Sequence, residues 1–269
     1  MHRSAFAALL SIGSVSAQAP VPVPPDLKFE VATLKPSPPL QPGNRGFSGI
    51  RPAPGGERYL ANQCTVKSML TVAYHVKVDQ IVGGPGWLET ELFDMNAKAE
   101  KPSSIDELHV MLVNLLGERF KLKLHHETKE LPVYALSVDQ GGPKLPPPNA
   151  GGEGAGQTWI DQQSTTFPQM KWHATSTTMD YFVFRLSQIM DRPVIDLTKL
   201  PGNYDFDLSF TRDLPPGMPE NALVNGAPID TSGPTIYEAV RKQLGLRLDR
   251  QKGPVDIIVI DHVEKLSGN

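Results

Sequence analysis

Three groups of residues have the types and spacing that chemistry requires. The first is His125-His126-Glu127, with His109 upstream, which offers the imidazole and carboxylate groups a zinc ion takes as ligands. Adjacent residues on a strand face opposite ways, so His125 and His126 cannot both reach one ion without a bulge. Neither an H-E-x-x-H helix nor a paired-cysteine site is present. The expectation is therefore one solvated and one half-buried histidine, and no metal. The second group is Asp196, Asp205 and Asp207. Asp205 and Asp207 share one strand face and could stand side by side like the paired acids of glycoside hydrolysis. Asp94 recurs in the same local context as Asp205, however, which favours a structural role such as accepting backbone N–H groups in a turn. The third group is Gly83-Gly84-Pro85-Gly86-Trp87. Its glycines permit positive φ, and an indole closing a tight turn either plugs the core or meets a partner. No helix is expected after this loop at the spacing a phosphate cradle needs, which argues against nucleotide binding. Gly84, Pro85, Trp87, Asp196, Asp205 and Asp207 are thus the candidate binding residues. No G-x-S-x-G elbow is present, and the serines preceding helices read as caps. No catalytic residue and no cofactor is assigned.

The elements that must position these residues are well punctuated. Ser104 and Glu107 form a capping box, and Ile105, Leu108, Leu112, Leu115 and Leu116 follow as one apolar helical face. Gly117 is expected to end that helix. Phe120, Leu122 and Leu124 then alternate with polar residues as a half-buried strand. The polar run Glu127-Thr128-Lys129-Glu130 reads as a turn into a second strand from Pro132, so the unit is αββ. It recurs near the C-terminus. Thr235 and Glu238 make a capping box, Ile236, Ala239, Val240 and Leu244 the apolar face, and Gly245 the stop, while PVDIIVI (254–260) answers PVYALSV (132–138). Upstream, residues 61–76 align without gaps against residues 174–189, and both lead into an aromatic-Asp-apolar strand, at Phe93-Asp94-Met95 and Tyr204-Asp205-Phe206. The fold class expected is α+β, with two repeated β-α-β-β-α-β-β modules, each a small sheet covered by two helices.

The chain has 269 residues and a formal net charge of −3 with interspersed signs, which leaves no electrostatic footprint for nucleic acid. Residues 1–19 read as a secretory signal: His2 and Arg3, a short apolar run, then Val15-Ser16-Ala17 as a cleavage site. That run is too short to span a membrane, and no later segment supplies a span. The mature protein is expected to be periplasmic or secreted. Cys64 is the only cysteine, so no intrachain disulfide can form, and it reads as a small core residue. Residues 20–57 are a Pro-rich spacer and an N-terminal strand at Phe29–Leu34, 58–140 module one, 141–170 a Gly/Pro-rich linker and 171–269 module two. Trp159 and Trp172 carry the same choice between core and contact as Trp87.

FEVATLKPS (29–37), AYHVKVDQIVGGPGWL (73–88), LLGERFKLKLHHETKELPVYALSV (115–138), RPVIDLTKLPGNYDFDL (192–208) and QLGLRLDRQKGPVDIIVIDHVEKLSGN (243–269) together resemble a soil-associated, acidobacterial family of extracytoplasmic proteins of unknown function. One departure is Lys199, where that family tends to have glycine; a lysine there makes a left-handed turn less favourable. Each half is also remotely similar to the short N-terminal domain of secretins and TonB-dependent receptors, an interaction module. The family has no established reaction to carry over. The signal, the duplicated module, its open sheet edges and the missing catalytic motif lead to the expectation of a non-catalytic binding or docking protein of a sensory or protein-interaction kind. It would take a protein or peptide partner by strand addition, with no membrane span after signal removal. The alternative is a secreted hydrolase using acidic residues of the second module.

Overall fold

In the computed structural model, which describes residues 26–39, 48–53, 55–146, 157–161, 167–215, 217–219, 222–224 and 226–266, every described helix of eight or more residues starts on a Ser or Thr. The hydroxyl of that residue accepts a backbone N–H of the first turn. These helices are α1 (Val66–Ala73) on Thr65, α3 (Ile105–Phe120) on Ser104, α4 (Met179–Ile189) on Thr178 and α5 (Ile236–Leu244) on Thr235. Ser104–Glu107 and Thr235–Glu238 are complete capping boxes, as expected. Losing such a cap costs about 1 kcal/mol. The one-turn helix α2 (Trp87–Thr90) follows the glycine-rich loop, where no helix was expected. The leader-like segment 1–19, residues 20–25 and the linker residues 147–156 lie outside the described residues. No described helix is long and apolar enough to cross a membrane.

The strands are β1 (Val31–Pro36), β2 (Gly49–Pro52), β3 (Arg58–Cys64), β4 (Ile81–Gly83), β5 (Phe93–Lys98), β6 (Lys123–Val138), β7 (Gln157–Asp161), β8 (Gln169–Thr178), β9 (Val194–Asp196), β10 (Asn203–Thr211), β11 (Leu223–Val224), β12 (Ala227–Pro228) and β13 (Leu246–His262). They form open sheets in the orders β1-β5-β3-β2, β10-β8-β7 and β4-β13-β6-β9, plus the small β11-β12 pair. The protein is thus α+β, with small open sheets flanked by helices. Its chain order is a loose two-part pattern: β3-α1-β4-α2-β5-α3-β6, then β8-α4-β9-β10-α5-β13.

The expected strand–turn–strand units are each one long strand instead. β6 runs for 16 residues through Glu127–Glu130, and β13 for 17 through Gly253-Pro254. The two pair antiparallel along their length, from Leu246 opposite Val138 to His262 opposite Lys123. The reason is local. Residues 127–130 include no glycine, asparagine or proline to reverse the chain, and Gly253 is not in a left-handed conformation. Gly253 serves close packing, since a Cβ there would meet Ile195 at 2.9 Å and Val133 at 3.2 Å. Pro132 and Pro254 lie in the central stretch, where no third strand flanks the pair and a missing N–H is least costly.

This pairing interlocks two cores. The first is built on Tyr59, Met69, Leu70, Leu112, Leu116 and Phe120 and closed by Leu124 from β6 and Ile258 and Ile260 from β13. The second is built on Trp172, Phe182, Leu186, Phe206 and Phe210 and closed by Tyr134 and Leu136 from β6 and Leu246 from β13. Cys64 and Trp172 are core residues, while for Trp159 only the backbone, in β7, is described.

Two further expectations fail for clear reasons. Gly117 does not stop α3, which continues to Phe120 and ends on Lys121 at φ 51. Leu116 and Phe120 are fully buried on the same face. Burying Phe120 contributes about 1.5–3 kcal/mol, which exceeds the roughly 1 kcal/mol helix penalty of a glycine. Lys199 adopts the left-handed turn despite being a lysine, at φ 56. The Thr198 N–H donates to Asp196 Oδ1 at 2.8 Å and the Leu200 N–H to Thr198 Oγ1 at 3.2 Å, which holds the turn, while the Lys199 side chain stays exposed.

Candidate functional site

The densest cluster of chemically capable side chains lies where the ends of α1, α3 and α4 meet. α1 finishes at Ala73 with Tyr74 as C-cap, and His75 takes the next position in the left-handed conformation at φ 55. Glycine is the usual occupant of such a place because a Cβ is strained there. His75 is held from three sides. Its ring stacks on Phe184 with centroids 5.0 Å apart, meets Tyr181 edge-on at 5.5 Å, and stands nearly perpendicular to His109 at 4.8 Å.

The polar contacts of this cluster form a chain. His75 Nδ1 lies 2.6 Å from Asp180 Oδ2, and His75 Nε2 lies 2.7 Å from His109 Nδ1. A carboxylate only accepts, so the Nδ1 proton of His75 points to Asp180. Between the two rings one proton is shared, because two nitrogen lone pairs at 2.7 Å would repel. His109 lies on the buried face of α3 with Leu108 and Leu112 and is 3 % exposed. Its Nε2 is buried and has no hydrogen-bond partner among the described residues. Such an unmet group costs about 1–3 kcal/mol. Burial, reinforced by His75, pushes the His109 pKa well below its ordinary value and keeps the ring neutral.

Asp106, in the first turn of α3, completes the group. His75, His109 and Asp106 each offer a ligand atom, all within 4.8 Å of one another. Although Asp106 is an exposed residue, the partial burial of its carboxyl at the cluster pushes the pKa up, His75 opposes this, and Asp180 and Glu107 add to it. Asp106 and Asp180 both stand in the first turn of their helices, where the helix dipole favours negative charge. Tyr59, whose ring is 5.8 Å from that of His109, remains a phenol because burial, with Tyr181 and Cys64 adding, pushes its pKa well up. Two imidazoles and a carboxylate beside an apolar wall can hold a proton or a cation. His75 and Asp106 open the cluster toward solvent.

The residues singled out from sequence lie elsewhere. Gly84 and Pro85 form the corner between β4 and α2. Gly84 sits at φ +78, where a Cβ would meet Leu88 at 2.5 Å, and the Pro85 carbonyl accepts from Leu88 N–H at 3.1 Å. Trp87 is half-buried, 5.8 Å from the Phe120 ring, with the Lys265 ammonium 5.7 Å above its face. Asp196 accepts from Thr198 N–H in the turn after β9. Asp205 Oδ1 accepts from Ser176 N–H at 2.6 Å, as Asp94 Oδ1 accepts from Gln63 N–H at 3.0 Å, and both donors are left-handed, at φ 49 and φ 52. Asp207 points outward and pairs with His173 at 2.7 Å.

His125 and His126 are both part-exposed, with side chains 50 % and 31 % accessible, and pair with different carboxylates, Asp261 at 2.9 Å and Asp256 at 2.8 Å. His109 is not with them. Sequence reading missed His75, Asp106 and Asp180. The spacing Asp106-x-x-His109 on a capped helix was a usable signal, since residues three apart share a helical face. Nothing local pointed to His75 and Asp180, which are 105 residues apart.

A protein family described as "Protein of unknown function (DUF3738)" matches residues 67–263, most of the chain and all of this cluster. The chain belongs to the DUF3738 family. Comparison with curated proteins and with solved structures finds no match for it. The matched span of this DUF3738 chain starts inside α1 and ends just past β13, so it takes in the second core and most of the first, while β1, β2 and β3 with Tyr59 precede it.

Proposed function

We propose that the protein is an extracytoplasmic, non-catalytic binding or docking protein that takes an extended segment of a protein partner onto an open sheet edge. The observation that carries this reading is β1. Among the described residues it is a six-residue edge strand paired on one side only, to β5, and its first residue, Val31, is 59 % exposed. Open edges of this kind present unpaired backbone groups that a partner strand can satisfy. The outer edge of β10 is less open, because the Gln243 side chain accepts from Ser209 N–H at 3.0 Å and donates to its carbonyl at 2.7 Å. On β1 the Ala32 carbonyl is met by Arg119 at 3.3 Å, an exposed side chain that an incoming strand can displace. The acidic residues that would serve a secreted hydrolase each have a local partner: Thr198 N–H for Asp196, Ser176 N–H for Asp205 and His173 for Asp207. Similar order of elements in the two halves and shared caps favour origin as two copies of one β/α module whose last helix leads into a single long strand, akin to the interaction modules of secretins. The leader-like residues 1–19 favour export from an acidobacterial cytoplasm.

The test compares affinity capture from an extracytoplasmic fraction by the wild type and by Val31→Lys, a charge of the type that blocks sheet edges. Proteins retained by the wild type and lost from the variant support strand addition at β1. Identical recovery with both, or no recovery with either, counts against it.

A further inference from the structure

We propose that His75, His109 and Asp106 bind one divalent transition-metal ion of the zinc class, with Asp180 positioning the His75 ring. This goes beyond the docking role and stands without it. The donor set, two imidazole nitrogens and a carboxylate oxygen, is one that borderline-soft ions such as Zn2+ take, with a remaining position for water. The three ligand atoms already lie within 4.8 Å of one another, and the two nitrogens face each other at 2.7 Å. Nitrogen ligands on one tetrahedral zinc are about 3.3 Å apart, as follows from bonds of roughly 2.0–2.1 Å. A small opening of the two rings therefore admits the ion. It takes the place of the proton between His75 Nε2 and His109 Nδ1; as the one proton of neutral His109, it moves to that ring's Nε2, so both imidazoles bind as neutral ligands.

Three further observations point the same way. His75 Nδ1 bonds Asp180 at 2.6 Å, the carboxylate–histidine arrangement that orients a ligand ring and raises its basicity. His109, 3 % exposed, turns Nδ1 and not the buried, unpartnered Nε2 toward His75, so Nδ1 is the nitrogen that faces the site. The fold itself does not require the three side chains. Counting from the N-caps, α4 has Gln188 where α1 is followed by His75, and α5 has Tyr237 and Val240 where α3 has Asp106 and His109.

The experiment uses the mature chain stripped with a chelator, titrated with Zn2+ by calorimetry in competition with a chromophoric chelator, and with Co2+ followed by its visible absorption. The expected result is one equivalent bound, with Co2+ bands of a tetrahedral site. His75→Gln and His109→Val, the residues of the second half, each weaken Zn2+ binding at least about tenfold, as does the surface variant Asp106→Asn. Asp180→Asn weakens it by about tenfold and shifts the Co2+ bands, as loss of an orienting carboxylate does. The double variant His125→Ala/His126→Ala binds as the wild type does. Circular dichroism establishes that each variant is folded. Zn2+ affinity unchanged in folded His75→Gln and Asp106→Asn, no binding by the folded wild type, or loss of binding in the His125/His126 variant overturns the proposal.

Discussion

At the second and fifth places after its N-cap Ser104, α3 has Asp106 and His109; at the same places after Thr235, α5 has Tyr237 and Val240. Ten residues after Thr65 stands His75, and ten after Thr178 stands Gln188. In the second half these positions do ordinary structural work. Val240 is fully buried, Tyr237 donates its hydroxyl proton to Tyr134 Oη at 2.8 Å, and Gln188 donates to the Val76 carbonyl at 3.1 Å. In the first half they form a chain of imidazoles and carboxylates with a buried unmet nitrogen. The same caps and a similar layout of helices and strands therefore support either an apolar or a polar filling. The polar one is not needed for folding, which makes it the place to look for function.

The largest effect tests how far the halves are separate at all. Trp172→Ala, in the second core, is expected to cost about 3–5 kcal/mol by cavity formation. Because β6 and β13 close both cores, urea denaturation followed by circular dichroism and by fluorescence should still give one coincident transition. Two separated transitions would mean the halves are stable independently. Next come the paired turn aspartates. Asp94→Ala and Asp205→Ala each remove a charged acceptor from a left-handed N–H, and each should lose about 2 kcal/mol in the same measurement. A large loss at one and none at the other would break the correspondence between β5 and β10.

Ser104→Ala and Thr235→Ala should each lower stability by about 1 kcal/mol through the cap alone. His109→Val, which gives α3 the residue of α5, removes an unmet buried nitrogen but also the partner of His75 Nε2, so the metal-free protein should differ from the wild type by less than about 1 kcal/mol in the same measurement. The smallest effect is at the surface of the second half, where Arg241 stands at the place of Val110 in α3. Arg241 bonds Asp139 at 2.8 Å and holds that carboxyl below its ordinary range. A depressed carboxyl stabilises the fold above its unfolded pKa and ceases to do so as pH falls through the folded one. Arg241→Ala should therefore lower the melting temperature slightly at neutral pH and flatten its fall below pH about 4, the two proteins converging in acid.

Much of the framework was legible in residue order. Both capping boxes, Gly245 as a helix stop and the aromatic-Asp-apolar strands were readable because each depends on neighbours a few residues apart. Gly245 is at φ 65, and a Cβ there would collide with the Gly142 carbonyl. The hairpins at 121–138 and 246–262 were misread because a polar run looks like a turn whether or not the chain reverses there. What decides is the partner strand, and each long strand is the other's partner.

Where helices begin, which faces are apolar and which aspartates brace turns all follow from short-range backbone chemistry and from hydrophobic periodicity, and so can be read from residue order. It takes the packed fold to show that β6 and β13 thread both cores, and that His75, from the end of α1, meets His109 of α3 and Asp180 of α4. Such meetings are set by how packed helices and crossed strands bring distant segments to one place. No local pattern along the chain records that distance.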